Sequence, residues 1–420
     1  MHDPTAPDAQ APLPTDAQLR FERAGLELLD DPLIRAARDD VRRMYEADPQ
    51  AATDAGRATL EPAVDAATLA SVHMALHDPA RPALVWTACA PHAWCGLRVP
   101  GSGYGIDNPD NIHRHAVLDG DATYLIRGEL PARPPAQQSF VLYGQTPGTG
   151  AVTKEGAPVQ GALTDAGFRI DGGRFTVTVG PGDGAGDTPH LRTTPGRNFL
   201  ISRNALTDWT TQLPARLTIE QIDGPAPKSP APGRTREHAA ELVRTVGRYW
   251  LEWDNAYIFS KPANAVTPPP GLRASGFGCA TSGHFRLEPG QALVVRVDRL
   301  AADYVGFQVT DPWGVAREHV ARSGSINSAQ AVPDDDGLYT YAICAEDPGV
   351  ANWLDTGGLG AGIYAIRWQG LPAGADASRA VRGAEVVDGA SVPSVVDPAE
   401  RAAANAARVA DYRRRMFAWE

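Results

Sequence analysis

Asp119-Gly120-Asp121-Ala122-Thr123-Tyr124-Leu125-Ile126-Arg127-Gly128 is the stretch on which the fold turns. Asp-Gly is a signal for a tight hairpin turn. The residues after it alternate, with Ala122, Tyr124 and Ile126 on one face and Asp121, Thr123, Leu125 and Arg127 on the other. A period of two belongs to a strand with one face buried. Upstream, Ala83-Leu84-Val85-Trp86-Thr87 reads as a buried strand. Downstream, strand-like segments follow at 139–143, 167–170, 174–179, 198–201 and 215–222, with turns such as Asp171-Gly172-Gly173 between them. Short strands at such spacing predict an antiparallel β-sandwich or jelly roll. A second β-rich run covers 264–372 and includes 292–297, 304–310, 338–344 and 362–369. The pattern leaves open whether the two runs form one sandwich or two.

Elsewhere the period is helical. Asp16 caps a first helix carrying Leu19, Phe21, Leu26 and Leu29; Asp31-Pro32 opens a second with Leu33, Ile34, Val41 and Met44. A third runs over 61–76. A Pro-rich linker, 224–235, precedes a long helix at 236–260 that Thr235 or its neighbours cap and that bears Leu242, Val243, Val246, Tyr249, Trp250 and Trp253. Asp397 caps a closing helix. The expectation is a mainly β, α+β chain: a disordered tail at 1–15, a helical subdomain at 16–80, a first β segment at 81–223, the 236–260 helix, a second β segment at 264–372, and a C-terminal helix within 397–420.

The chain has 420 residues, 43% hydrophobic, with 42 Gly and 36 Pro spread throughout, which fits many turns rather than disorder. A net charge of −11 argues against nucleic acid as a partner, because phosphate binding needs a concentrated basic face. Arg413, Arg414 and Arg415 are read as a solvated helix face. No apolar run reaches the roughly 18 residues of a membrane span. The polar segment 1–14 lacks the pattern of a signal peptide, so a cytoplasmic protein is expected. Cys89, Cys95, Cys279 and Cys344 form no Cys-x-x-Cys pair and read as core thiols, with a zinc site or disulfide as the alternative.

Two loops carry a family likeness. One is Gly105-Ile106-Asp107-Asn108-Pro109-Asp110-Asn111, followed by Asp119-Gly120 and Tyr124-Leu125-Ile126-Arg127-Gly128. The other is Asp347-Pro348-Gly349-Val350-Ala351-Asn352-Trp353-Leu354-Asp355-Thr356, followed by Gly362 and Arg367-Trp368. Between them lie Asp208-Trp209, Pro214 and Ala215-Arg216-Leu217-Thr218-Ile219-Glu220. Over about 80–370 this combination resembles the bacterial domain of unknown function numbered 1214. The resemblance implies a β-sandwich or jelly-roll fold and no particular reaction. Where such sequences often carry an aromatic, this one has His113, which implies a more polar ligand or altered chemistry if the position lines a pocket.

His113-Arg114-His115 is the sharpest candidate, since residues i and i+2 share a strand face. Three roles are open: a polar strand face, a metal pair completed by His92, His284 or Asp107, and acid/base or substrate contact. His73 and His77, four apart on a helix, read as packing or surface histidines. Asp107, Asn108, Asp110 and Asn111 are either a self-bonded turn or a polar loop whose Asp107 or Asp110 acts as base. Asn352, Trp353 and Asp355 are either a tether or a ligand contact, with Asp311-Pro312-Trp313, Asn327 and Arg367 as companions. Asp334-Asp335-Asp336-Gly337 reads as an acidic hairpin turn rather than a calcium loop.

Three readings follow. The first is a cofactor-independent lyase, isomerase or cyclase acting on a small apolar or cyclic molecule of terpenoid, lipid or aromatic type. His113, His115, Asp107 and Asp110 are its catalytic candidates. Asn108, Arg114, Trp313, Asn327, Asn352, Trp353, Asp355 and Arg367 are its binding candidates, in a cavity lined by Trp209, Trp250, Trp253, Trp313, Trp353 and Trp368. The second is a carbohydrate-active hydrolase using Asp110 and Asp355. The third is a non-catalytic ligand-binding or scaffold protein. No metal or cofactor is expected. A small-molecule ligand is the expected partner, and a homo-oligomer is compatible with the sequence.

Overall fold

The computed structural model describes residues 13–417 except 155, 210, 227, 228, 230, 232, 274–277, 317–321 and 393–395. Most of the expected tail therefore lies outside the described residues. Leu13 is already buried, against Trp86 and Trp94.

The N-terminal helices are α1 (Asp16–Leu29), α2 (Pro32–Glu46) and α3 (Asp54–Leu76). Thr15, not Asp16, caps α1 through Gln18 N–H at 3.1 Å. Asp31 caps α2 at Leu33 N–H, 2.8 Å. The third helix starts before the expected 61 because Thr53 accepts Gly56 N–H at 2.9 Å, and it runs on through Pro62.

The first β segment is β1 (Val85–Trp86), β2 (His92–Trp94), β3 (Leu97–Val99), β4 (Asn111–Asp119), β5 (Thr123–Glu129), β6 (Gln137–Tyr143), β7 (Val159–Thr164), β8 (Arg174–Gly180), β9 (His190–Arg192), β10 (Arg197–Ala205) and β11 (Arg216–Asp223). An inner sheet has the order β1-β4-β10-β6-β7, an outer sheet β11-β5-β8-β9, and β2 with β3 forms a separate hairpin. The expected strand at 167–170 is instead the end of a short 3-10 turn, Asp165–Gly167, and a bend. Ala116, Leu118, Phe140, Leu142 and Leu200 from the inner sheet meet Ala122, Tyr124, Ile126, Phe175 and Val177 from the outer sheet, so the alternation that opened the reading marks the sandwich core. Gly128 lies under the Phe175 ring, where a Cβ would come within 2.0 Å of Cζ.

The opposite face of the inner sheet is also covered. Val117, Val141, Phe199 and Ile201 pack on α2, α3 and α4 (Arg234–Asp254). Gly233, at φ 91°, precedes α4, two residues before the expected cap. The helix passes into a π turn, Asn255–Phe259.

The second segment forms its own sandwich. Its strands are β12 (Cys279–Arg286), β13 (Gln291–Val297), β14 (Tyr304–Thr310), β15 (Ser325–Asn327), β16 (Tyr339–Cys344), β17 (Trp353–Asp355), β18 (Ala361–Gln369) and β19 (Val381–Asp388). The sheets are β12-β18-β14-β15 and β17-β16-β13-β19, with Phe285, Leu293, Phe307, Tyr341, Ile343, Ile366 and Trp368 between them. β19 extends this unit past the expected end at 372. The loop after β14 sends Trp313 into the helical core, where its ring lies 4.9 Å from Tyr45 and its Nε1 donates to Gly56 O at 3.1 Å. A helix, α5 (Pro398–Phe417), closes the described chain, and Asp397 accepts Ala399 N–H at 2.6 Å at its start. The structure is mainly β with five helices among the described residues. No described helix is long and apolar enough to cross a membrane.

Candidate functional site

Strand β4 puts His113, His115 and Val117 on one face and Arg114, Ala116 and Leu118 on the other. The histidine face looks toward the helices and the second sandwich. Antiparallel register sets Arg203 of β10 directly opposite His113, and Ser139 of β6 opposite Arg203. Directly opposed side chains start only about 5 Å apart. From the second sandwich, Arg367 of β18 approaches the same region. Its Nη1 donates to Gln308 Oε1 at 2.6 Å and its Nη2 to Ile106 O at 2.5 Å. Asp107 lies beside them, buried, with Oδ1 accepting Ala316 N–H at 2.9 Å. Gly103 gives that carboxyl room, since a Cβ there would sit 2.9 Å from Oδ1.

The charges in this cluster act on one another. Burial drives the proton affinity of His113 far below normal, and the cations Arg203 and Arg367 add to the effect. His113 Nε2 is buried with no hydrogen-bond partner. Burial pushes the Asp107 carboxyl up to about 7; Ala316 N–H and Arg367 pull it back, and Asp311 adds to the rise. His113, Arg203 and Arg367 are only partly covered although they lie at the joint of two sandwiches. Arg273, exposed on its loop, feels the charge of Arg203 and is felt by Arg367. The recess beside Arg273 and Arg367 is about 10 Å³, room for roughly one water.

Asp110 is held differently. Its Oδ1 accepts Trp209 Nε1–H at 2.7 Å and Asn327 Nδ2–H at 2.9 Å, and its Oδ2 accepts Tyr304 Oη–H at 3.0 Å. Asn108 Nδ2 donates to the same Tyr304 Oη at 3.0 Å, and Asn108 Oδ1 accepts Asp110 N–H at 3.1 Å. This network joins the two sandwiches and commits both groups to structure.

The remaining candidates separate from this cluster. Arg114 faces the outer sheet and donates to Asn204 Oδ1 (3.0 Å) and Ala215 O (2.9 Å). Thr87 Oγ1 and His115 Nδ1 share a 2.8 Å bond. Asn352 ties its loop to Val332 and Thr340, and Trp353 Nε1 donates to Cys344 O. Asp355 accepts Gly357 N–H at 2.8 Å and Arg322 at 3.1 Å. The tryptophans expected to line one cavity are dispersed: Trp209, Trp313, Trp353 and Trp368 belong to four different cores. Each is spaced for packing its own layer. Trp250 meets Tyr104 at 5.7 Å, and Trp253 packs on it at 5.6 Å.

Several groups escaped the sequence reading. Arg203 sits two residues beyond Ile201 on the same strand face, so a cation at an apolar-face position was the available signal. Gln18 and Glu22 occupy the buried face of α1. Glu22 accepts Trp94 Nε1–H at 2.7 Å and His92 Nε2–H at 3.2 Å, and Cys89 Sγ is 3.9 Å from His92 Nδ1. Burial opposes the charge on His92, but Cys89, Glu22 and the Ala90 carbonyl raise it to about 10. Asp254, the last residue of α4, has an unpartnered buried Oδ1, and burial with Asp311 and Asp48 holds it well above the carboxylate range. His73 and His77 are buried beneath Phe21, and burial lowers them to about 4 and about 3. Among the described residues no three His, Cys, Asp or Glu side chains are arranged to hold a metal ion. A cleft of about 990 Å³ lies away from all of these, on the outer sheet between Arg127, Arg174, Arg216, Asp171 and Asp187.

A solved structure of an uncharacterised protein from Burkholderia cenocepacia is similar to this chain, with a TM-score of 0.68 and 23% identity over 90% of this chain and 99% of that one. That likeness shows a shared fold. A Vibrio parahaemolyticus protein follows at a TM-score of 0.39 and 14% identity, covering 67% of this chain and 89% of that one. No family model matches the sequence, and no curated protein matches it.

Proposed function

We propose that the polar cluster at the joint of the two sandwiches is a catalytic centre for proton transfer on a small molecule, of lyase or isomerase type and without a cofactor. One observation carries the reading. A carboxyl raised to about 7, Asp107, and His113, whose buried Nε2 has no partner, both feel the charge of Arg367. A general acid or base works best with a pKa near the working pH. Asp107 fits that role, since near neutrality it is populated in both forms. His113 stays neutral and offers Nε2 to a substrate heteroatom. Arg367 and Arg203 would stabilise negative charge developing on the substrate.

The resemblance to the domain numbered 1214 belongs to the same proposal, because one of its motif loops supplies Asp107 and the residues after the other supply Arg367. The hydrolase reading is not favoured: Asp110 accepts three hydrogen bonds and Asp355 two, and both serve loops. The binding-protein reading keeps one supporting observation, the 990 Å³ cleft on the outer sheet.

The test is solvent-deuterium exchange into small carbon acids, followed by NMR. Asp107→Asn and His113→Gln should each lower the exchange rate by roughly 100-fold, with a limb near pH 7 that Asp107→Asn removes. Wild-type exchange that survives Asp107→Asn unchanged would overturn the reading.

A further inference from the structure

We propose that the ligand of this cluster carries an oxyanion, a carboxylate or phosphate group, directed at Arg367 and Arg203 beside His113. The inference rests on the cluster being the site and names the class of molecule it takes.

Arg367 supplies the first argument. Its two hydrogen bonds go to Gln308 Oε1 and Ile106 O, both neutral. They fix the guanidinium without neutralising it. The carboxyl beside it, Asp107, is raised to about 7 and so supplies only part of a negative charge at neutral pH. A guanidinium in a partly buried site is most stable against a carboxylate or phosphate, which it can meet with two parallel N–H bonds.

Arg203 supplies the second. It stands cross-strand from His113, and its charge reaches both His113 and Arg367. Arg273 adds a third positive charge from the solvent side. Arg203 and Arg273 each have further interactions in the fold, so the inference rests on where the cations converge and not on any vacancy around them. Like charges gathered in a low-dielectric joint repel one another, and such clusters mark functional sites.

His113 supplies an independent third. Its Nε2 is buried and unpartnered, next to Arg203. A neutral imidazole donates one N–H. At this position it completes a set of donors around an oxygen-rich group. The exposed Arg273 marks the side facing solvent.

The experiment compares acetate and inorganic phosphate with neutral acetamide, using the full chain. Binding is read from chemical-shift changes of side-chain-labelled arginine and histidine, and location from crystals soaked in each compound. Acetate or phosphate should bind at least about tenfold tighter than acetamide and bridge Arg367 and Arg203. Whichever of the two binds identifies the head group. Arg203→Gln should erase the preference and Arg203→Lys should keep part of it, which separates loss of charge from loss of fold. Acetamide binding as well as the anions overturns the oxyanion inference and leaves the catalytic reading standing. Neither anion nor amide at the cluster overturns both.

Discussion

Asp110→Ala tests whether this carboxylate is a hub or a catalyst. Removing it takes the acceptor from Trp209 Nε1 at 2.7 Å and from Asn327 Nδ2 at 2.9 Å. Tyr304 Oη loses a 3.0 Å contact but keeps Asn108 Oδ1 at 3.2 Å, so it is not stranded. Asn327 Nδ2 retains a poor 3.4 Å contact to Leu206 O. A buried donor left unmade costs about 1–3 kcal/mol. Two such donors, one of them partly rescued, give an expected loss of about 2–5 kcal/mol for Asp110→Ala. Asp110→Asn keeps an oxygen for Trp209 and Asn327, and its new amide can donate to Tyr304 Oη, so it should lose less than half as much. The assay is denaturant unfolding followed by tryptophan fluorescence, because Trp209 reports the network directly. An Ala variant within about 0.5 kcal/mol of wild type would refute the hub, as would an Asn variant no better than Ala.

Acid should destabilise the fold from pH 6.5 downward. His73, His77, His113 and His115 are depressed, so their contribution is present above 6.5 and fades as protons bind the unfolded chain first. Asp107 and Asp254 are raised and oppose this by holding two protons the unfolded chain has released. The depressed histidines outnumber the raised carboxyls, so stability should fall as the pH drops from about 6.5 toward 4, measurable by unfolding at fixed pH; a flat profile contradicts it. Glu22→Gln removes the buried carboxylate facing His92 and should cost about 3–5 kcal/mol, with the His92 titration moving down by NMR. Gly128→Ala forces a Cβ into the Phe175 ring and should cost about 3 kcal/mol by denaturant unfolding, with Phe175→Leu recovering part of the loss.

Alternation made β5 legible, and the i, i+2 spacing put His113 and His115 on a common strand face. It did not reveal what covers that face, because both sides of the inner sheet are buried and period two marks alternation, not direction. The Asn-Pro-Asp loop looked like a self-bonded turn, and one bond, Asp110 N–H to Asn108 Oδ1, is of that kind. The partners that decide the role of Asp110 are Trp209, Tyr304 and Asn327, separated from it by 99, 194 and 217 residues. No local pattern encodes contacts at that range. The same limit hid Arg203 and Glu22, single polar residues on faces otherwise read as apolar. It also made the six tryptophans look like one lining, when each serves the layer in which its own strand, helix or loop lies.

The Tyr304–Asn108–Asp110 network has a consequence during synthesis. The loop at 107–111 leaves the ribosome almost two hundred residues ahead of Tyr304, and β18, which brings Arg367, comes later still. The helices and the first sandwich can close on their own core beforehand, but the loop has to wait for its bonding partners. Assembly of the candidate site is thus among the last events in the life of the nascent chain, and a chain cut short within α4 would carry a built sandwich and an unassembled site.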